Sequence, residues 1–205
     1  MIHTTFYIRR LHSLCGLLAL GLFLCEHIIT NSEVLIGPEH FNAAVAMLAS
    51  IPAPIMLFIE VCFILVPFAF HAIYGIYIVM QAKNNPQHYG FVNNWFFWLQ
   101  RISAVIIILF LIWHVVYLRI MVKGGGTPIS FELLQAYFTN PVIWAAYLIA
   151  MIASIFHLFN GVTTFCMTWG IAKGPRIQRF ISCVCMLMFA LLSLLTLAFM
   201  IRYLM

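Results

Sequence analysis

Residues 142–171 read VIWAAYLIAMIASIFHLFNGVTTFCMTWGI, a run without Lys, Arg, Asp or Glu and with one histidine, His157, near its middle. A helix that crosses a bilayer needs ~20 apolar residues at about 1.5 Å of rise each, and this run exceeds that length. Four more runs share its character: Leu11–Thr30, Ile55–Val79, Phe96–Tyr117 and Phe180–Met200. Composition agrees, since the 205 residues are 65% hydrophobic and 7% charged, whereas soluble domains carry about 25% charge. The runs lack the alternation of barrel strands and are too long for them. The expectation is an all-α membrane protein, a single transmembrane domain over residues 1–205 with spans at 11–30, 55–79, 96–117, 142–171 and 180–200.

His157 has counterparts in three of the other runs, at His27, His71 and His114. An imidazole without a partner is costly in hydrocarbon, so one on each of four helices asks for a common explanation. Haem iron supplies one, because two six-coordinate b haems take four axial imidazoles. Depth sorts them. His27 lies roughly 9 Å from Glu33 along its helix and His114 roughly 8–13 Å from Arg119 and Lys123. His71 lies about 26 Å from Pro54 and His157 about 24 Å from Pro141. His27 and His114 therefore form an outer pair, and His71 and His157 an inner pair, inside a four-helix haem-binding bundle.

Helical phase adds detail. Residues eleven apart lie close to three turns apart and share a face. Gly16, Glu60, Ser103 and Ala146 stand eleven before His27, His71, His114 and His157. Gly16 and Ala146 would admit a porphyrin edge, and Ser103 and Glu60 would bring polar groups to the interior. Glu60 is then expected at the level of the outer haem, where a desolvated carboxyl could exchange a proton with a substrate; the plainer reading is a carboxyl that reaches headgroup water. Glu26 adjoins a ligand but points about 100° away. His3, His12, His40 and His88 lie at termini or loops and read as solvated, with contact to an inner propionate the alternative for His12.

Lys and Arg set the orientation. With the N-terminus cytoplasmic, Arg9, Arg10, Lys83, Arg101, Lys173, Arg176 and Arg179 lie inside and Arg119, Lys123 and Arg202 outside, with Glu33, Glu39 and Glu132 also outside. The net charge of +5 thus describes a basic inner face suited to anionic lipid, a peripheral protein or acidic cofactor groups, not a nucleic-acid site. The first span reads as an uncleaved helix, because no small-residue cleavage site follows it. The six cysteines lack C-x-x-C-H spacing, which excludes covalent haem. Pro67 is expected to kink the second span, Gly174-Pro175 to end the fourth, and the stretches Phe41–Ile51 and Phe131–Phe138 to form short surface helices.

Several motifs together resemble a known family. They are Phe6-Tyr-Ile-Arg-Arg-Leu-His-Ser-Leu14, His71-Ala-Ile-Tyr-Gly-Ile-Tyr77, Ala82-Lys-Asn-Asn85, Leu99-Gln-Arg101, Trp113-His114, Ile155-Phe-His-Leu-Phe-Asn-Gly161 and Thr168-Trp-Gly170. The combination is similar to the two-haem cytochrome b membrane anchor of succinate:quinone oxidoreductase, respiratory complex II, in its single-polypeptide five-helix form. That resemblance implies His27, His71, His114 and His157 as haem ligands, Glu60 at an acidic position serving quinone protonation, and menaquinone as the electron acceptor. It also implies flavoprotein and iron–sulfur subunits docked on the cytoplasmic face of a bacterial inner membrane, with Arg10, Arg101 and Lys173 placed to meet the inner propionates, a lipid-facing or solvated role being the alternative for each. The dicarboxylate chemistry belongs to those partners, since the chain has no flavin fingerprint and no cysteine array for clusters. Anchors of fumarate reductase, hydrogenase or formate dehydrogenase would share the four-histidine logic, and a haem-free transporter would use the histidines for protons or metal.

Overall fold

The computed structural model describes residues 2–205, with side-chain surroundings from Thr5 onward. Five helices are long and apolar enough to cross a membrane: span I, Thr5–Leu35; span II, Ala53–Gln81; span III, Val92–Lys123; span IV, Pro141–Thr168; and span V, Pro175–Arg202. Among the described residues there is no strand. Spans I, II, III and V extend beyond the apolar runs at both ends.

Span IV differs from expectation at its far end. It stops at Thr168, and the chain reverses through Gly170 at φ 73 and Gly174 at φ 85. Gly174-Pro175 therefore opens span V instead of closing span IV. Pro175 stands where a proline's missing N–H is harmless, in the first turn of a helix.

Three spans contain π-helical segments, at Cys15–Gly21, Glu60–Leu65 and Val115–Lys123. Each has a local cause. Gly16 and Gly21 bracket the first. The second lies just before Pro67, whose ring would meet the carbonyl of Phe63 in a regular helix and which leaves that carbonyl without a donor. The third runs into Gly124-Gly125-Gly126, where Gly124 N–H donates to the Arg119 carbonyl over 3.1 Å.

Spans IV and V pack along their length, and spans III and IV join through the buried Ser103 and Asn160. None of the most apolar window of span II or III is buried, and large side chains such as Met80, Ile73 and Leu109 face outward, as lipid contact requires. The tightest packing lies at one end, under the short helices Pro38–Ala49 and Phe131–Phe138. There Ile28, Val34, Phe41, Phe131, Phe138, Phe199 and Tyr203 form one apolar cluster, with Phe131 stacked on Tyr203 at 5.3 Å.

Asn42 ties the two short helices together. Its Oδ1 accepts from Phe131 N–H at 2.8 Å, and its Nδ2 donates to both Glu132 oxygens at 3.3 Å. Glu132's own amide, the Ser130 hydroxyl and Asn42 hold its carboxyl below the usual carboxylate range. With its pKa depressed on folding, Glu132 contributes stability that is present above its unfolded pKa and lost as pH falls through the folded value. Asn42→Ala is expected to lower stability by about 1–2 kcal/mol in detergent thermal unfolding, because it orphans the Phe131 amide. Glu132→Gln should flatten the acid limb of the same measurement.

Candidate functional site

Two pairs of histidine rings face each other across the bundle. The His27 and His114 centroids are 6.0 Å apart with their planes at 84°, and those of His71 and His157 are 6.2 Å apart at 79°. These are the pairs that depth along the helices implied. Metal–imidazole bonds of about 2 Å on each side of a shared ion, plus the ring radii, require roughly 6 Å between ring centres.

Hydrogen bonds fix the rings. His71 Nδ1 donates to the His12 carbonyl at 2.9 Å, tying span II to span I. His157 Nδ1 lies 3.2 Å from the Gln100 carbonyl and 3.1 Å from Ser103 Oγ, whose hydroxyl donates to that same carbonyl. Carbonyl oxygens only accept, so His71 and His157 carry their protons on Nδ1 and present bare Nε2 lone pairs. In span III, His114 Nδ1 lies 3.2 Å from Tyr147 Oη. Gln100 completes the span III–IV seam by donating to the His157 carbonyl at 3.0 Å and accepting from Asn160 Nδ2 at 2.8 Å.

The surroundings of the His71–His157 pair fit a bulky group bearing carboxylates. Gly16 lies against the His71 ring, and a Cβ there would stand 2.4 Å from Cε1. His12 stacks on His71 at 4.2 Å, 4° from parallel, and its Nε2 is buried without a partner. Arg10 sits over Phe6 and Trp169 with Nη1 likewise buried and unpartnered. Two buried unpartnered nitrogens on the first turns of span I, one of them stacked on His71, are what a propionate would satisfy. Arg101, by contrast, is buried and committed to Asn84 Oδ1, to the Val79 carbonyl at 3.0 Å and to the Phe97 ring, so the lipid-facing or solvated alternative does not describe it. No group of three or more His, Cys, Asp or Glu side chains able to hold a metal assembles among the described residues. A porphyrin brings four nitrogens of its own and asks the protein only for a pair.

Glu60 does not stand alone in the interior. Arg119 of span III grips it, Nε to Oε1 at 2.9 Å and Nη2 to Oε2 at 2.7 Å, with the carboxylate side chain 27% exposed. The eleven-residue relation holds at Ser103, which meets His157, and at Gly16, which lies against the His71 ring although Cys15–Gly21 is π-helical. At Glu60 the feature the sequence did not foretell is the Arg119 partner.

Sequence reasoning missed Gln100, Asn160, Tyr147 and Arg119 as partners. Gln100 and Asn160 carried a signal, polar amides inside apolar runs. Tyr147 and Arg119 carried none, because phenols and cations near span ends read equally well as interface anchors.

The arrangement defines a class: a multi-pass helical membrane protein with two stacked pairs of intramembrane histidines. The family model for the succinate dehydrogenase/fumarate reductase transmembrane subunit matches residues 83–199. The chain is 38% identical over 188 residues to the succinate dehydrogenase cytochrome b558 subunit of Bacillus subtilis (strain 168), covering 92% of each chain. It belongs to that family, the transmembrane subunits of succinate dehydrogenase and fumarate reductase.

Gly16→Ala must displace the His71 ring and break its bond to the His12 carbonyl, because a Cβ at 2.4 Å cannot be accommodated. The expected result is weakened haem absorbance in the purified protein. Gly161→Ala, with 3.7 Å to Gln100 Nε2, should leave it unchanged.

Proposed function

We propose that this chain is the cytochrome b anchor and electron-transfer subunit of a succinate dehydrogenase, holding two b haems and serving menaquinone. The observation that carries the reading is the pair of opposed rings, His71 and His157, whose Nδ1 protons are held on backbone carbonyls and whose Nε2 atoms are left for iron. When bound, the haems supply one-electron carriage between an iron–sulfur subunit and quinone.

The chain's own residues do the rest. His71 and His157 serve one haem, His27 and His114 the other. Donation from Nδ1 to a carbonyl locks each inner ring's tautomer and orientation and makes Nε2 a stronger donor to metal. Arg10 and His12 offer free N–H groups to propionates, and Arg101 adds what its bonds to Asn84 and Val79 leave over. The basic positions Arg9, Lys83, Lys173, Arg176 and Arg179 lie together on the cytoplasmic side, where the flavoprotein and iron–sulfur subunits dock, and the membrane is the bacterial inner membrane. At the opposite side Glu60 handles a proton for quinone when its contact with Arg119 opens. Fumarate reductase anchors share the family and would work the same parts in reverse; the B. subtilis relative favours succinate oxidation.

Three results test this. The purified complex should show two b-type haems per chain and contain flavoprotein and iron–sulfur partners; a pigment-free preparation from haem-replete cells ends the reading. His27→Ala and His114→Ala should remove the same haem, and His71→Ala and His157→Ala the other. Glu60→Gln should leave both haem spectra intact and slow quinone turnover roughly a hundredfold, the range of lost acid–base catalysis.

A further inference from the structure

Tyr147 is buried at 5% exposure and boxed in by four rings. Phe110 and Trp113 of span III stand at 4.8 and 5.4 Å, and Phe138 and Tyr137 of the helix Phe131–Phe138 at 5.0 and 5.7 Å. With its ring held on these sides, the phenol oxygen has a fixed position, 3.2 Å from His114 Nδ1. Tyr137, one wall of this box, stacks in turn on Tyr117 at 4.8 Å. Ring packing thus links Tyr147 to the short helix through Tyr137 and Phe138.

We propose that Tyr147 is the positioning residue of the outer haem, holding the His114 ring in its ligating tautomer and setting that haem's potential. The proposal rests on His27 and His114 holding a haem. Iron on Nε2 requires the His114 proton on Nδ1, where it donates to Tyr147 Oη. A hydrogen bond from Nδ1 makes the imidazole a stronger donor to metal and favours ferric over ferrous iron. Each inner ring has a backbone carbonyl that no side-chain substitution removes, with Ser103 Oγ also beside His157. His114 is therefore the ring whose Nδ1 partner is a side chain alone, and through Tyr137 and Phe138 that side chain is packed against a surface helix. Among the described residues His27 has no such bond, so His114 carries this effect for its haem alone.

The test is a redox titration of the intact complex, following the haem absorbance bands and assigning the outer step as the one absent from His27→Ala. Tyr147→Phe keeps the ring in its aromatic box and removes only Oη. The outer midpoint is expected to move positive, by up to about tenfold in the reduction equilibrium or 59 mV for one electron, while the inner midpoint stays. An unmoved outer step, a negative shift, or an equal shift of both overturns the proposal. If Tyr147→Phe does not accumulate, Tyr147→Leu, which also removes Oη, decides: a positive shift of the outer step alone supports the proposal, and no shift overturns it. Absence of haem from the wild-type complex would instead sink the function proposed above.

Discussion

An imidazole in hydrocarbon has no water to fall back on, and the architecture turns on where its second nitrogen finds a partner. His71 finds the His12 carbonyl, His157 the Gln100 carbonyl and Ser103, His114 the Tyr147 hydroxyl. Every one of these partners lies on a different span from the ring it serves. Satisfying the rings therefore also ties I to II and III to IV, where the apolar effect gives little help because lipid tails are as apolar as the side chains. Such bonds are worth roughly 1 kcal/mol each in membranes, so their weight lies in geometry more than in stability.

Packing is distributed to match. Spans II and III lend faces to the histidine pairs but bury little of their apolar surface, while the dense cluster of Phe41, Phe131, Phe138, Phe199 and Tyr203 gathers at one end under the two short helices. The seam of Gln100, Ser103, His157 and Asn160 provides polar order deeper in the bundle. One end is held by aromatic contact, the middle by hydrogen bonds.

Much of this was legible from residue order. Span number, the helix Phe131–Phe138 and the partnering of the four histidines follow from hydropathy and from distance along a helix, quantities that depend on rise and little on rotation. The partner of Glu60 was not legible, because which neighbour a carboxyl faces depends on rotation as well as rise, and the span carries a π-helical turn before Pro67. Gly174 was assigned to the wrong helix because a Gly-Pro step punctuates equally well before or after. Arg119 and Tyr147 were invisible as partners, since nothing in one strand of text says which neighbouring span a long side chain will reach.

The same wide turns make the spans unequal in how they tolerate change of length. A one-residue deletion inside Cys15–Gly21 or Glu60–Leu65 can be absorbed by tightening the turn to α geometry, leaving the histidine beyond it facing as before. Span IV, α-helical from Pro141 to Thr168, has no such slack: losing one residue between Tyr147 and His157 would swing the ring by about 100° and away from its partner. Indels within this family should therefore collect in the first two spans and be rare in the fourth.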